Sequence, residues 1–323
     1  MARTRPVGDR KANISSLGAR PPSQAVSEPV LHPTGKAQRS KRSDAAGFPG
    51  LCIVATPIGN AGDITLRALK MLRQADVIAC EDTRVTAKLL AKHGISRSLT
   101  PYHEHNAAKA RPQLIQRLKN GESVTLVSDA GTPLISDPGY RLVRDCLAAG
   151  IPLTTAPGPS AVLSALVLSG LPTDRFFFAG FLPSRAQARR RALAELAGVP
   201  GSLVLMESAR RLAASLDDMA AILGDRAAAV TRELTKLFEE VRRGSLSELA
   251  EHYLASGPPK GEITIVVGPP AAAAMDAESL NRMLSEALSG MTVRDAVAHV
   301  AEATGHSRRD LYQRALTLAK AGK

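Results

Sequence analysis

Ser128-Asp-Ala-Gly-Thr-Pro-Leu-Ile-Ser-Asp-Pro-Gly139 is the stretch of this sequence that decides the fold. It directly follows residues 124–127, Val-Thr-Leu-Val, whose apolar composition indicates a buried strand. Gly and Pro then break regular structure until a helical pattern begins at Tyr140. In open α/β sheets, ligands bind at loops that follow the carboxyl ends of strands, and small residues let the backbone approach a ligand closely. The stretch therefore predicts an α/β sheet with a ligand site at its edge.

Strand-like and helix-like segments alternate around this loop in the N-terminal half of the chain. The pattern predicts strands over residues 51–56, 77–80, 124–127 and 151–155, and helices over residues 64–74, 85–92, 111–119, 140–149 and 160–169. Such alternation is typical of a parallel-dominated sheet with helical crossovers. We therefore predict an N-terminal α/β lobe over residues 49–172.

The strand-like segments of the second half lie closer together, which favours a mixed sheet. They cover residues 175–182, 202–206, 227–231, 237–242 and 263–267, with helices over residues 184–196 and 210–223. The Phe-rich residues 176–181 are most simply a core strand. We predict a second α/β lobe over residues 173–270 and interpret the Ala-rich residues 271–274 as a linker.

Residues 276–323 predict a small helical unit of the helix–turn–helix type. Three short helices are expected, and two of them begin with capping-box patterns at Thr292 and Ser307. Gly305 lies between these two helices, where a tight turn requires it. The unit serves either for packing and dimerisation or for contact with RNA. The basic residues available for such contact are Arg308, Arg309 and Arg314.

The composition is that of a protein with a substantial core and no membrane span. The 323 residues are 44% hydrophobic, yet no apolar run reaches the ~18 residues that a transmembrane helix needs. Cys52, Cys80 and Cys146 have neither a metal-site spacing nor the even number that a disulfide framework needs. These features predict a protein of the reducing cytoplasm.

The net charge of +12 is concentrated at the chain ends. Residues 1–48 contain nine Lys and Arg against three Asp and Glu, and residues 291–323 contain six against three. Residues 1–48 are also rich in Ser, Pro and Gly, which predicts a disordered basic extension. Basic arms commonly bind a polyanion such as nucleic acid. A solubilising tail and an organellar transit peptide are the alternatives.

Two further loops with Gly and Pro follow predicted strands. Thr56-Pro-Ile-Gly-Asn-Ala-Gly62 stands where a dinucleotide fingerprint would, but it does not match G-x-G-x-x-G, which disfavours NAD. Ala156-Pro-Gly-Pro-Ser-Ala161 joins a strand to a helix, with Ser160 placed as an N-cap. Together with residues 128–139, these loops predict a cleft for a small cofactor.

Polar residues suited to acid–base chemistry lie between these loops. Glu81, Asp82 and Arg84 follow the second predicted strand, and His103 and His105 lie in a loop. Helix capping and an ion pair are the alternative role for the first three. The His-Glu-His run is poorly arranged for joint chelation, and no further ligand set accompanies it, so we predict no metal site.

These loops, in this order, resemble the tetrapyrrole-methylase-like class of S-adenosylmethionine-dependent methyltransferases, and within it the enzymes that methylate a ribose 2′-hydroxyl of 16S ribosomal RNA. The resemblance covers residues 50–268, and the helical tail also fits. The matching segments are Thr56-Pro-Ile-Gly-Asn60, Glu81-Asp-Thr-Arg84, His105-Asn106, Ser128-Asp-Ala-Gly-Thr-Pro133, Ser136-Asp-Pro-Gly139, Pro157-Gly-Pro-Ser-Ala161, Ser169-Gly-Leu-Pro172, Gly180-Phe-Leu-Pro183, Arg232-Glu-Leu-Thr-Lys236 and Lys260-Gly-Glu262. The implied architecture is a two-lobed tetrapyrrole-methylase-like fold with a small C-terminal helical unit.

The resemblance implies that S-adenosylmethionine binds in the cleft between the lobes and that the protein is a homodimer. The residues carried over by motif as contacts with this cofactor are Thr56, Pro57, Ile58, Gly59, Asn60, Ser128, Asp129, Ala130, Gly131, Thr132, Pro133, Ser136, Asp137, Pro157, Gly158, Pro159, Ser160, Ala161, Glu207, Ser208, Lys260, Gly261 and Glu262.

The implied acceptor is the cytidine at position 1402 in the decoding centre of 16S ribosomal RNA, presented by an assembled or partly assembled small ribosomal subunit. The candidate catalytic residues, which the sequence does not rank, are Glu81, Asp82, Arg84, His103 and His105. The candidate RNA contacts are Tyr102, as the best exposed aromatic residue, with Asn106, Arg211, Lys236, Arg308, Arg309 and Arg314. Because aromatic residues are only 3% of the chain, RNA recognition should depend mainly on phosphate charge.

Two segments depart from the family pattern. The usual Glu-Ser-Pro-His-Arg reads Glu207-Ser-Ala-Arg-Arg211, and the acidic character usual after His105-Asn106 is replaced by Ala107-Ala108.

Two other functions stay open. One is methylation of a small tetrapyrrole, and the other is a non-catalytic RNA-binding role in ribosome assembly.

Overall fold

The structure, a computed structural model, describes residues 47–270, 277–304 and 306–321. The predicted basic extension, residues 1–48, lies outside the described residues except for Gly47 and Phe48. The predicted linker at residues 271–274 and the predicted turn residue Gly305 also lie outside them.

The first lobe is built on a sheet of five parallel strands in the order β3-β2-β4-β1-β5. The strands are β1 (Gly50–Val54), β2 (Val77–Cys80), β3 (Leu99–Pro101), β4 (Ser123–Val127) and β5 (Leu153–Ala156). Both faces of this sheet are covered, so its central strands are apolar on both sides. The parallel sheet predicted from the sequence is confirmed, with β3 added at one edge. Only three residues long and ending in Pro101, β3 is too short to show a periodic pattern.

Helices cover both faces of the first sheet, as the alternation of the strand residues requires. They are α1 (Leu66–Gln74), α2 (Thr83–Lys92), α3 (Ala107–Lys119) and α4 (Tyr140–Ala148). In β2, Ile78 and Cys80 pack with α1 and α2, whereas Val77 and Ala79 pack with α3 and α4 on the opposite face. Thr65 caps the start of α1 and Asp82 caps the start of α2, so each helix begins close to where the preceding segment leaves the sheet.

The second lobe contains a mixed sheet in the order β6-β7-β10-β8-β9. Its strands are β6 (Phe176–Phe181), β7 (Ser202–Ser208), β8 (Ala227–Arg232), β9 (Glu240–Ser245) and β10 (Glu262–Val267). Only the pair β6–β7 is parallel, and the three other pairs are antiparallel. The mixed second sheet predicted from the sequence is therefore confirmed.

Helices α6 (Ala186–Leu196), α7 (Leu212–Leu223) and α8 (Leu246–Ser256) cover one face of this sheet. Helix α8 has no counterpart among the predicted helices, although Ser245 and Glu248 form a complete capping box at its start.

The Phe-rich strand β6 lies at the edge of the sheet rather than in its core. Phe176, Phe177 and Phe181 are exposed to solvent. As an edge strand, β6 pairs only with β7, and the pairing is interrupted by a bulge between Phe178 and Gly180. The expectation of a core strand is therefore wrong, because apolar composition alone does not separate a central strand from an edge strand.

Helix α5 (Ala161–Ser169) joins the two lobes. Its sequence is apolar on nearly every side, and it packs against the face of the second sheet that α6, α7 and α8 leave open. The cluster contains residues of α5, of strands β7 and β10, and of the loops that follow β1 and β8. They are Ile58, Val162, Ala165, Leu166, Val204, Leu234 and Val266. Although α5 lies within the predicted first lobe, its buried face is therefore part of a core shared with the second lobe.

The C-terminal unit has a hydrophobic core of its own. Helices α9 (Ala277–Leu288), α10 (Val293–Thr304) and α11 (Arg308–Ala321) enclose a cluster that includes Leu284, Val300 and Leu311. The hydroxyl of Thr292 accepts a hydrogen bond from the Asp295 N–H, as its capping-box pattern predicts. The three helices expected from the sequence are thus present. Among the described residues, no helix is both long and apolar enough to cross a membrane.

We predict that shortening a buried side chain of α5 weakens the whole fold. Leu166 is 3% exposed within the shared cluster, and Leu166→Ala should lower the free energy of unfolding by about 2–5 kcal/mol through lost contacts and a cavity. Denaturant unfolding followed by circular dichroism measures this. Leu147→Ala on α4 is the matched control, because Leu147 is 63% exposed and the same truncation there should change stability by less than about 0.5 kcal/mol. Equal effects of the two changes would contradict the central role of this cluster.

Candidate functional site

A cleft of about 440 Å³ lies at the carboxyl edge of the first sheet and is bounded on its far side by the second sheet. Half of the residues predicted as cofactor contacts line it: Ile58, Ala130, Gly131, Thr132, Ser136, Asp137, Ser160, Ala161, Glu207, Ser208, Gly261 and Glu262. The loops after β1, β4 and β5 thus meet at one place, as expected for strands whose carboxyl ends share an edge. We call this space the first cleft.

The loop after β1 and the loop after β4 are joined by hydrogen bonds. The Thr56 and Gly131 backbones form a two-way bridge of 2.9 and 3.0 Å, and the Thr56 hydroxyl donates to the Ser128 carbonyl at 3.0 Å. Gly131 has a φ of +80°, which an L side chain rarely adopts. Thr56 and Ser128 therefore shape the cleft from behind without lining it.

The segment from Leu134 to Gly139 holds an unusual backbone. Leu134 and Ser136 have φ values of 75° and 65°, in the left-handed region that costs non-glycine residues of the order of 1–3 kcal/mol each. Gly139 has a φ of 140°, and a Cβ there would lie 2.9 Å from side-chain atoms of Leu126 and Leu134. This strained path places Ser136 and Asp137 at the rim of the first cleft.

The loop after β5 supports the cleft through close backbone packing. A Cβ at Gly158 would lie 3.1 Å from the Cβ of Ala55, so the loop passes directly over β1. Ser160 caps α5 by accepting from the Leu163 N–H at 3.4 Å, which is the capping role expected from the sequence. The other predicted contacts in these loops do not line the first cleft: Pro57, Gly59, Asn60, Asp129, Pro133, Pro157, Gly158 and Pro159.

Glu207 forms a closed hydrogen-bond network in the far wall. Its side chain is buried, and Oε1 accepts from the Ser208 N–H at 2.7 Å and from Arg211 Nε at 2.7 Å. Oε2 accepts from the Ser215 hydroxyl at 2.6 Å. Because Arg211 also donates to the Leu182 carbonyl, its guanidinium is occupied within the protein. The geometry favours a structural role for Arg211 over the predicted RNA contact.

Lys236 is likewise held by carboxylates at the cleft rim. Its Nζ lies 2.8 Å from Glu233 Oε1 and 3.1 Å from Glu262 Oε2. The neighbouring Thr235 hydroxyl accepts from the Asn60 N–H at 3.1 Å, which ties the loop after β1 to the second lobe. Lys236 therefore bridges parts of the cleft rim, and its predicted role as a phosphate ligand is not favoured. Lys260 is exposed and does not line the first cleft.

A second cavity of about 620 Å³ adjoins the first cleft. Ser136 and Asp137 line both spaces and form the wall that they share. The remaining lining residues of this second cleft are Glu81, Tyr102, Glu104, Ala107, Ala108, Arg111, Pro138, Gly139, Tyr140 and Arg141. The two alanines are those that replace the acidic residues of the family pattern, so this departure removes negative charge from the second cleft.

Glu81 is the only candidate base that lines either space among the described residues. Partial burial raises the pKa of its carboxyl, and the negative charges of Asp137 and Asp129 raise it further, against a hydrogen bond from the Asp129 backbone. Burial also raises the pKa of Asp137, partly offset by a hydrogen bond from the Ser128 hydroxyl. A raised pKa makes a carboxylate a stronger proton acceptor.

The other candidate catalytic residues line neither cleft. Asp82 caps α2 and pairs with Arg84 at 2.6 Å, and this partner lowers the pKa of the carboxyl to about 2. His103 and His105 lie with ring centroids 6.1 Å apart and line neither cleft. Within residues 47–270 and the described tail, no group of three or more His, Cys, Asp or Glu is placed to hold a metal ion.

The prediction that Tyr102 is an exposed aromatic contact for RNA is wrong. Its side chain is only 2% exposed, because it packs in the core between the first sheet and helices α3 and α4. It therefore cannot stack on an RNA base. Asn106 holds its loop together, donating to the Pro101 carbonyl at 2.9 Å and accepting from the His103 N–H at 2.8 Å. Tyr140, which is exposed in the second cleft, is the aromatic residue that sequence reasoning missed there.

In the tail, Arg308 and Arg309 line a surface groove of about 390 Å³. The groove is completed by Arg294, Val297, Ala298, Tyr312 and Gln313, whereas Arg314 lies outside it. Two of the three predicted tail arginines thus share one groove with a third arginine and an exposed tyrosine.

Several residues of the first cleft were not among the predicted cofactor contacts, although Ile135 and Phe181 lie within quoted motif segments. They are Ile135, Val162, Phe181, Met206, Ala209, Ile263 and Thr264. Most lie on strands or helix starts of the second lobe, where an apolar residue gives the same signal whether it faces a core or a ligand.

Comparison with protein families assigns two regions of the chain. Residues 50–250 match the family of tetrapyrrole (corrin/porphyrin) methylases, and residues 273–319 match the RsmI C-terminal HTH domain.

The chain is also similar to curated proteins over most of its length. It is 56% identical over 270 residues to ribosomal RNA small subunit methyltransferase I of Erythrobacter litoralis, covering 84% of this chain and 95% of that protein. It is 52% identical over 271 residues to the protein of the same name from Mesorhizobium japonicum, covering 84% and 92%.

Among solved structures, the methyltransferase CobJ aligns with a TM-score of 0.53 at 17% identity, covering 70% of this chain and 95% of that one. Diphthine synthase aligns with a TM-score of 0.52 at 16% identity, covering 68% and 89%. Similarity at this level shows a shared fold.

We predict that removing the charge of Glu81 stabilises the protein at neutral pH. The folded pKa of Glu81 lies above its unfolded value, so stability is fully present at low pH and is lost as the pH rises through the folded pKa. Glu81→Gln removes that loss. Unfolding measured from pH 4 to 8 should show the variant above the wild type at pH 7–8, with the difference shrinking toward the ordinary Glu pKa of ~4.3. The exposed Glu104→Gln is the control, and a variant that is less stable than the wild type at pH 8 would contradict the prediction.

Proposed function

We infer that this chain, which belongs to the tetrapyrrole methylase family and within it to the ribosomal RNA small subunit methyltransferase I enzymes, methylates 16S ribosomal RNA. The reaction that we propose transfers the methyl group of S-adenosylmethionine to a ribose 2′-hydroxyl of a cytidine in the decoding centre. The cytoplasm is the compartment that this substrate implies.

The observation that carries the proposal is the pair of adjoining clefts with a common wall at Ser136 and Asp137. A methyl transfer needs two ligands held with their reacting atoms in line and in contact. Two adjacent spaces at one sheet edge meet that requirement. The proposal assigns the first cleft to the methyl donor and the second cleft to the acceptor nucleotide.

The first cleft suits a nucleoside that carries a positive charge. Its volume of about 440 Å³ lies in the usual range for small-molecule sites. Ile58, Val162 and Ile263 offer apolar contact for an adenine ring, and the small residues at 130–132 leave their backbone groups accessible. The carboxylates of Asp137 and Glu262 suit the positive charge of a sulfonium ion. The residues present therefore fit this cofactor, which when bound supplies an electrophilic methyl group.

The second cleft suits a nucleotide. Arg111 and Arg141 offer positive charge for a phosphate, and the exposed ring of Tyr140 offers a face for base stacking. Arg111 is held in place by Asp145 at 2.7 Å. Replacement of acidic residues by Ala107 and Ala108 reduces repulsion of the RNA backbone in this space.

Glu81 is the residue that we assign as general base. A ribose hydroxyl is a poor nucleophile until its proton is removed. Glu81 would accept that proton, and the bound cofactor would supply the methyl group that the ribose oxygen takes up. Partial burial, together with the negative charges of Asp137 and Asp129, raises the pKa of Glu81. The interaction with Arg84 lowers the pKa of Asp82 and makes it a weak base.

The tail and the surface favour RNA over a tetrapyrrole as acceptor. The tail groove combines three arginines with Tyr312, which is the combination used to bind phosphates and bases.

A homodimer, which the family resemblance implies, is supported by exposed apolar residues on α5 and β6: Leu163, Val167, Phe176 and Phe177.

The direct test is transfer of labelled methyl from S-adenosylmethionine to purified small ribosomal subunits, naked 16S ribosomal RNA and a tetrapyrrole, followed by mapping of the modified nucleotide. We expect ribose methylation of a decoding-centre cytidine in the subunit. Transfer to the tetrapyrrole alone would support the small-molecule methylase. Binding to subunits with no transfer to any acceptor would support the non-catalytic assembly factor.

Glu81→Gln should lower kcat by about 10²–10⁴-fold, the usual contribution of a positioned general base. Donor affinity, measured by calorimetry, should stay within about twofold because Glu81 lines only the second cleft. Glu104→Gln, in the same cleft, is the matched control and should retain activity. Unchanged kcat in Glu81→Gln would exclude Glu81 as the base.

Arg309→Ala should weaken binding to small subunits and reduce the slope of log affinity against log salt by about 0.7–0.9, the value for one lost phosphate contact. Arg282 is an exposed residue of α9 outside the groove. Arg282→Ala is therefore the control, because it removes the same charge and should leave the slope unchanged. If both variants behave alike, the groove has no specific role in RNA binding.

A further inference from the structure

Helices α1 and α2 form a basic surface on one face of the first lobe. Together they contain six Lys and Arg and no Asp or Glu: Arg67, Lys70, Arg73, Arg84, Lys88 and Lys92. Both helices cover the same face of the first sheet, because their apolar residues share one cluster. This face of the lobe therefore carries six basic residues with no acidic residue between them on the two helices.

Three of these residues form a row along α2. Arg84, Lys88 and Lys92 are four residues apart and exposed, whereas Thr86 and Leu90 on the other side of the helix are buried. With a rise of ~1.5 Å per residue, neighbouring members of the row are about 6 Å apart along the axis. Such a row presents positive charge at regular intervals over about 12 Å.

The row begins at the proposed site. Its helix starts at the cap residue Asp82, directly after Glu81 of the second cleft. Lys88 and Lys92 then line a groove of about 240 Å³ between α2 and the two loops that build the first cleft, with Gly59, Ser128 and Asp129 on the opposite side. The row therefore leads from the reacting groups down the face of the lobe.

The charges of the two lysines are available to a partner. Within the part of the chain that the structure describes, neither Lys88 nor Lys92 has an ion pair or a side-chain hydrogen bond. Arg84 pairs with Asp82, but its side chain is 85% exposed. The carboxylate in the groove, Asp129, already accepts the Asp82 N–H at 3.0 Å.

We propose that the Arg84–Lys88–Lys92 row binds the sugar-phosphate backbone of the RNA that flanks the acceptor nucleotide. The inference rests on the proposed function, since the row extends from the acceptor cleft assigned there. Regular positive charge without aromatic residues suits phosphates rather than bases. The row then fixes the register of the RNA strand, so that one ribose reaches Glu81.

The test compares two double variants that each remove two positive charges. Lys88→Gln with Lys92→Gln removes the two lysines of the row and leaves Arg84 in place. Lys109→Gln with Lys119→Gln removes two exposed lysines of α3 on the opposite face of the sheet. Affinity for purified small subunits is measured at several salt concentrations, with donor calorimetry as the check on folding. For the α2 variant, the slope of log affinity against log salt should fall by about 1.4–1.8, and affinity at 0.1 M salt should fall by about tenfold or more. KM for subunits should rise, with kcat within about twofold of the wild type.

An unchanged salt slope in the α2 variant, or an equal fall in both variants, would overturn the inference. The first result would place the RNA elsewhere, and the second would reduce the effect to net charge. Failure of the proposed function gives a different result, because the wild-type protein would then transfer no methyl group to small subunits, whereas failure of this inference leaves wild-type methylation intact.

Discussion

The apolar cluster around α5 is the constraint on which the rest of the structure depends. It contains side chains from the loop after β1, from α5, from β7 and β10, and from the loop after β8. Burial of each Val or Leu in such a cluster contributes about 1.5–3 kcal/mol relative to exposure. Because Ile58 and Val162 line the first cleft and also belong to this cluster, the packing that joins the lobes also fixes the distance across the cleft.

The site itself holds features that oppose folding. Leu134 and Ser136 have left-handed backbone conformations. The carboxyls of Glu81 and Asp137 are partly buried, which raises the pKa of each. Such features persist only where the surrounding structure over-determines them. The charge distribution of the first lobe follows a related logic, with carboxylates at the strand ends and positive charge on α1 and α2. Carboxylates near the acceptor suit proton transfer, whereas the helices suit a polyanion.

The sequence was sufficient for the parts of the fold that carry strong local signals. Gly- and Pro-rich loops after apolar runs marked the first cleft, and their order carried the family resemblance. Prediction from the sequence failed where the position of a residue within a sheet or core decides whether it is buried. Tyr102 follows a short edge strand in a polar segment, and only the packing of α3 and α4 shows it to be buried. Three other features likewise depend on contacts between distant segments of the chain. They are the exposure of β6, the pairing of the short strand β3, and the apolar wall that β7 and β10 give to the first cleft. The sequence also could not distinguish the roles of Glu81 and Asp82. Whether a carboxylate caps a helix, forms an ion pair or lines a cleft depends on the direction of its side chain.

The common wall at Ser136 and Asp137 has a thermodynamic consequence. A displacement of this segment that widens one cleft reshapes the other, so occupancy of either space changes the affinity of its neighbour. Coupling between two sites is reciprocal, and each ligand alters the binding of the other by the same factor. Under the proposed assignment of donor and acceptor to the two clefts, this short strained turn is the element through which the nucleic acid would sense loss of the methyl group and the change of charge that follows it.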